Sequence, residues 1–259
     1  MNFDLISDLH ISSFSEESFK RLQPTSNILV VLGDVCEVGR VNAILPFFEM
    51  LSDNWYYVIY VPGNHEFYFI NIQTTVSRIK NNLDYLSNII VLDNDVISID
   101  GIRYIGSTLW SDMDKNNPIV KMNCKKYIND YRYIFKDIDQ ILEPDNTIEL
   151  FNRNISFIDD MLCLSDPDEV NVILTHHAPS FKSVSARFIG DVCNGAFVSS
   201  LEDIILDNPS IRVWAHGHTH NYTDYKIGYC RVVANPYGYS REVFKNEDDY
   251  KPIRIEVEK

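Results

Sequence analysis

Asn27-Ile28-Leu29-Val30-Val31-Leu32-Gly33-Asp34 is the stretch on which the fold turns. Its apolar part is short and rich in branched side chains, as a buried strand is, and it stops abruptly at Gly-Asp. The same arrangement recurs four times. An apolar start, Met1 to Ile6, leads to Asp8-Leu9-His10, and Tyr56 to Val61 leads to Gly63-Asn64-His65-Glu66. Val170 to Leu174 runs into Thr175-His176-His177-Ala178-Pro179, and Ile211 to Ala215 into His216-Gly217-His218-Thr219-His220. All seven histidines of the chain lie in these blocks. In α/β proteins ligands gather beyond the carboxyl ends of strands, so blocks far apart in sequence can meet on one rim.

Between the blocks, helical spacing marks Val41 to Leu51 and Ile70 to Leu86. Asn94 to Ser107 reads as a hairpin turning at Asp100-Gly101. Asn146-x-x-Glu149 is a capping signal for a helix reaching about Leu164, and Tyr229 to Ala234 and Ile253 to Val257 are further strands. Early strand–helix alternation followed by hairpins predicts an α/β protein of stacked sheets covered by helices. With no repeat, low-complexity tract or linker, residues 1–259 are expected to form one domain. Residues 111–145 are the least regular and hold the densest basic cluster, Lys121 to Arg132. That cluster reads either as a solvated helix face or as part of a substrate loop over the rim.

A formal charge of -14 opposes non-specific binding to nucleic acid and to anionic membranes. No apolar run approaches the ~20 residues of a membrane span, and the first residues carry no secretory pattern. Five scattered cysteines without a Cys-x-x-Cys pair fit reduced thiols, and so a cytoplasmic protein.

The five blocks offer carboxylate, imidazole and amide donors enough for two metal ions. Asp8 and His10, like His218 and His220, would share a face if their segments stay extended. Gly217 would let the backbone approach closely. Mixed O/N donors suit Mn, Fe or Zn better than Ca or Mg, with Mn the metal to try first in vitro.

Together, in this order and at these spacings, the blocks resemble the calcineurin-like metallophosphoesterases, over residues 4 to about 240. The chain is most similar to small bacterial and phage members without a cap domain, which share Gly-Asn-His-Glu, Thr-His-His-x-Pro and the Asn-Pro-x-Gly-Tyr that begins here at Asn235. The resemblance implies a metallo-dependent phosphatase-like fold, a four-layer α/β/β/α sandwich of two mixed sheets. It implies one metal on Asp8, His10, Asp34 and His220, and a second on Asp34, Asn64, His176 and His218, with Asp34 bridging. It implies in-line attack by a metal-bridging hydroxide on a phosphoester, with His65 serving the leaving oxygen. Two divalent ions, two aspartates and a hydroxide leave a charge of about +1, so the site attracts phosphate inside an acidic protein.

Some positions stay open. His176 and His177 compete for one ligand place, the spacing to Pro179 favouring His176 and leaving His177 behind it or against substrate. His216 is expected on the strand, behind the ligands. Where relatives carry an aspartate to orient the catalytic histidine this chain has Glu37, which reads equally as its substitute or as a surface acid. Tyr68, Arg187 and Tyr237 lie near the blocks and could contact substrate, but the structural reading of the aromatic residues is preferred and none of the three is taken as catalytic.

The substrate is expected to be a nucleotide or small-molecule phosphodiester or a phosphomonoester. A nuclease is disfavoured by the lack of a basic, aromatic-interleaved stretch. A non-catalytic scaffold on the same fold is the other alternative, and the complete ligand set speaks against it. Oligomeric state does not follow from the sequence.

Overall fold

The computed structural model describes residues 1–11, 19, 22–37, 41–166, 168–239 and 250–258, with the side chains of 41–44 left aside. Sheet 1 has the order β13-β1-β2-β3-β4, formed by Ile253–Glu256, Asn2–Ile6, Ile28–Leu32, Tyr57–Val61 and Ile89–Val91. Sheet 2 has the order β11-β12-β10-β9-β6-β5, formed by Thr223–Ile227, Cys230–Ala234, Ile211–His216, Val170–Thr175, Ile102–Ser107 and Asp95–Ile99. Both sheets are mixed. β1 to β4 run parallel and β13 antiparallel, while β6, β9, β10 and β12 run parallel between the antiparallel edges β5 and β11.

Three apolar cores separate four layers, because alternate residues of each strand face opposite ways. Ile28, Val30 and Leu32 of β2 point inward to meet Val172, Leu174, Val213 and Ala215 of sheet 2. Leu29 and Val31 point outward to Phe47, Phe48 and Leu51 of α1 (Val41–Asn54) and to Ile79 and Leu83 of α2 (Ile72–Leu83). On the far side Ile173, Trp214 and Val232 pack with Ile158 and Leu162 of the long helix Pro144–Cys163. The four-layer α/β/β/α sandwich is therefore as expected. Its parallel strands carry β1, β2 and β3 to one edge and β9 and β10 to the same edge of the partner sheet, so all five polar blocks open onto one rim.

Local expectations shift by small amounts. The long helix starts at Pro144, and Asn146 caps it from within: Glu143 N–H, just before the helix, donates to Asn146 Oδ1 at 3.2 Å. A proline at the first helical position already supplies the right φ, so the helix begins two residues before the Asn146 signal. Residues 111–145 are more regular than expected. They hold α3 (Pro118–Tyr127), the single turn α4 (Asp130–Tyr133) and a hairpin of β7 (Phe135–Asp137) and β8 (Gln140–Ile141). By this count the long helix is α5, and Glu202–Asp207 is α6. No disulfide joins the cysteines, and no described helix is long and apolar enough to cross a membrane.

Candidate metal centre

The two loops after β1 and β2 are stitched together. Asp8, His10 and Ile11 N–H groups donate to the carbonyls of Gly33, Asp34 and Val35. Between those bonds the chain leaves the strand conformation. Asp8 has φ 55°, His10 46°, Asp34 52°, His218 65° and His220 47°. The expectation that Asp8 with His10, and His218 with His220, lie on one face of an extended segment is therefore wrong. Left-handed residues at the strand ends bend both segments: Asp8 and His10 turn into the same donor group, whereas His218 and His220 divide between two. This conformation costs a non-glycine residue about 1 kcal/mol or more, and such strain collects at functional sites.

The side chains converge in two groups. Asp8, His10, Asp34 and His220 form one, and Asp34, His176 and His218 the other, each with its donor atoms within 4.8 Å of one another. Asp34 is common to both. Its Oδ1 lies 3.3 Å from His176 Nε2, and its Oδ2 lies 3.9 Å from His10 Nε2. His10 Nε2 faces His220 Nε2 at 3.0 Å, and His176 Nε2 faces His218 Nδ1 at 3.2 Å and Asn64 Oδ1 at 3.1 Å. His176 Nδ1 is 2.8 Å from the Leu32 carbonyl, a bond that requires the proton on Nδ1, so that in the neutral ring it is Nε2 that carries the lone pair.

These donors fit cations. Buried Asp8 Oδ2 has no hydrogen-bond partner, an uncompensated carboxylate oxygen that a cation would satisfy. Burial pushes the Asp8 carboxyl up and the His10 imidazole down to about 3, so His10 is neutral, as a ligand must be. Burial works against charge on His176 too, but Asp34 and Asp8 outweigh it and raise this group to about 10. Without a metal, then, the paired carboxylates draw a proton onto the histidine between them.

The other candidates are placed as follows. His177 turns its Nδ1 to the Thr108 carbonyl at 3.2 Å and packs against His218, ring centroids 4.2 Å apart. Burial lowers it to about 3. It lies behind His218, outside both groups. His216 is buried beneath the site, its Nε2 2.8 Å from Ser183 Oγ. His65 Nε2 is 3.8 Å from Asp34 Oδ2 and 3.0 Å from the Tyr239 hydroxyl, and its ring stacks on Tyr68 at 4.3 Å. The backbone N–H of His65 donates to Asp34 Oδ1 at 2.9 Å. Glu37 is half-buried at the end of the second loop, where the Cys36 thiol donates to its carbonyl. Tyr237 packs on Tyr250.

Three supporting residues escaped the sequence reading. Glu66 is fully buried and accepts from the N–H groups of Asp34 (2.9 Å), Val35 (2.7 Å), Cys36 (3.3 Å) and Gly63 (2.7 Å), clamping two loops to each other. Asp130, at the start of α4, accepts from Asn64 Nδ2 at 2.8 Å and from the Tyr68 hydroxyl at 2.8 Å. Because the carboxylate takes the amide NH₂, the Asn64 oxygen is the atom that faces His176. Tyr239 stacks on His10 at 4.2 Å and reaches His65, which Tyr68 backs from the other side. Glu66 and Tyr239 stand in stretches already noted, and only their ordinary residue types hid them. Asp130 carried no signal at all.

Glycine is required by close approach. A Cβ on Gly63 would meet His176 Cε1 at 2.6 Å, and one on Gly217 would meet the Leu32 carbonyl at 2.7 Å and Asp8 Oδ2 at 2.8 Å.

Residues 1–222 match the calcineurin-like phosphoesterases. The chain belongs to that family. Metal-dependent phosphoester hydrolysis is the chemistry that comes with membership, and the two donor groups are the candidate ligands for it. A relative from Acanthamoeba polyphaga mimivirus, the uncharacterized protein L509, is 32% identical over 261 residues, covering 92% of this chain and 91% of its own. Among solved structures, the phosphopantetheinyl hydrolase PptH of Mycobacterium tuberculosis matches with a TM-score of 0.74 at 19% identity, over 97% of this chain and 95% of that one. A dimetal phosphatase from Danio rerio matches with a TM-score of 0.57 at 15% identity, over 90% and 86%. At such identities the two structures share a fold with this chain, the metallo-dependent phosphatase sandwich.

Proposed function

We propose that this protein is a binuclear metal-dependent phosphoester hydrolase, with Asp8, His10, Asp34 and His220 holding one ion and Asp34, Asn64, His176 and His218 the other. The observation that carries this reading is the Asp34 carboxylate, one oxygen turned to each of two histidine groups. Two divalent ions there would supply Lewis acidity and lower the pKa of bound water toward ~7. Mn, Fe and Zn suit the mixed donors, and Mn is the ion to supply in vitro.

The chain's own groups account for the rest. Asn64 donates without adding negative charge, which keeps the centre attractive to a phosphate oxygen. His65 is only partly covered, its side chain 17% exposed, and stands at the mouth with Nε2 free to exchange the Tyr239 hydroxyl for a substrate oxygen. There it gives a proton to the departing alkoxide. Tyr68 and the backbone bond to Asp34 hold the ring's plane. His177, His216, Glu66 and Asp130 keep the ligands in their conformations without touching the reacting atoms. The cysteines, none of them in a disulfide, suit a reducing compartment such as the cytoplasm.

The test is to load the purified protein with Mn(II) and assay p-nitrophenol release from mono- and bis-p-nitrophenyl phosphate. Turnover of at least one ester supports the reading. A protein that binds Mn(II), Fe(II) and Zn(II) poorly and leaves both esters intact contradicts it.

A further inference from the structure

Above the metal rim opens a cavity of about 540 Å³, and its walls differ in kind from its floor. The floor is Asp34, Asn64, His65, His218 and His220. One wall is the turn between α3 and α4, with Ile128. The other is the loop of short helical turns from Val184 to Phe197, which brings Val184, Phe188, Val192 and Phe197. Phe188 is 42% and Val192 38% exposed, so apolar surface is left open to water beside a charged centre.

This exposure is built into an ordered loop. Ser183 Oγ bonds His216 Nε2 and the Tyr225 hydroxyl, each at 2.8 Å, which anchors the loop's start to β10 and β11. Asn194 Nδ2 donates to the Phe188 carbonyl at 2.7 Å, and Asp191 Oδ1 accepts from Cys193 N–H at 2.8 Å. A preformed apolar wall next to a phosphate site is a recognition surface for the organic part of a substrate.

Charge narrows the class. Apart from the histidines, Arg187 is the one cationic side chain among the described residues lining the cavity, and it lies over the Phe188 ring at 4.6 Å. The same walls carry the carboxylates of Asp130 and Asp191. A phosphomonoester dianion brings a second negative charge that these walls do little to compensate. A phosphodiester brings one charge and a second organic arm.

Building on the hydrolase reading, we infer that the substrate is a phosphodiester with an aromatic or other apolar arm seated against Ile128, Val184, Phe188, Val192 and Phe197. Water's oxygen forms the new P–O bond while the bond to one alcohol oxygen breaks. One water proton ends on that alcohol through His65 and the other stays with the phosphate, so ROPO₂OR′⁻ and H₂O become ROPO₃H⁻ and R′OH.

Three esters that release the same p-nitrophenol test this on the full chain in Mn(II): phenyl p-nitrophenyl phosphate, methyl p-nitrophenyl phosphate and p-nitrophenyl phosphate. The phenyl diester should have a kcat/KM about tenfold above the methyl diester, the scale of placing one ring on apolar surface, with the monoester lower still. Phe188→Ala should lower the phenyl diester about fivefold, through KM, and the methyl diester by a smaller factor, so that the preference between the two diesters shrinks. The monoester as best substrate, or an equal loss on all three in Phe188→Ala, overturns the substrate class while the hydrolase reading stands. Metal-loaded protein inert on all three overturns both.

Discussion

The floor of the cavity and its walls are built on opposite terms. On the floor, buried polar side chains stand at five strand ends, three of which (after β1, β2 and β10) turn through left-handed residues, and neighbours hold them: Glu66 accepts from the Asp34 and Gly63 N–H groups, Asp130 holds Asn64, and the Leu32 carbonyl holds His176. The walls are ordinary apolar side chains, partly exposed, on a loop tied down by hydrogen bonds of Ser183, Asp191 and Asn194. What differs is the penalty for error. A misplaced donor on the floor leaves a buried charge or lone pair uncompensated, whereas a misplaced wall residue changes only how much apolar surface a substrate covers.

Substitutions should therefore fall on a graded scale. Asp34→Asn breaks both groups at once and should abolish measurable turnover, together with most bound metal, as metal analysis of the same sample would record. His65→Ala should keep its metal and lose about 10²- to 10⁴-fold in kcat, the usual range for a general acid. A parallel loss of metal would move His65 from the leaving group to the ligands. Asp130→Ala frees the Asn64 amide to rotate and should weaken metal affinity by about 10- to 100-fold, with Asp130→Asn recovering part of the loss. Titration with Mn(II) separates these outcomes, and unchanged affinity would sever Asp130 from the floor. At the other end, Lys125→Ala removes a surface pair with Glu143 and should alter kcat/KM by less than about twofold, since exposed pairs contribute little. A larger change would bring the basic face of α3 into the substrate's reach.

How much of this was legible follows the same division. The floor's residue types are rare enough at strand ends to be read directly, and the strands' apolar runs announced the layers. Backbone conformation was not legible: nothing in Asp8-Leu9-His10 distinguishes two extended residues from two left-handed ones, because the bend is imposed by pairing with the Gly33 to Val35 loop. In residues 111–145 the basic cluster drew attention, yet Lys121 pairs with Asp145 and Lys125 with Glu143 on the outside. The uncharged turn Tyr127 to Asn129, with Asp130 after it, is what reaches the cavity. Asp130 and Phe188 matter through where the fold carries them. One aspartate or one phenylalanine in an acidic, aromatic-rich chain is unremarkable until the strands are assembled.

The central claim is that one carboxylate, Asp34, joins two metal positions. Metal content per chain, measured on Mn(II)-loaded wild type and on folded Asp34→Asn after removal of free ion, tests it most directly. The account predicts about two ions in the wild type and fewer than about one in the variant, because a bridging ligand serves both ions. A wild type that saturates at one ion, or an Asp34→Asn protein that retains two, would contradict it.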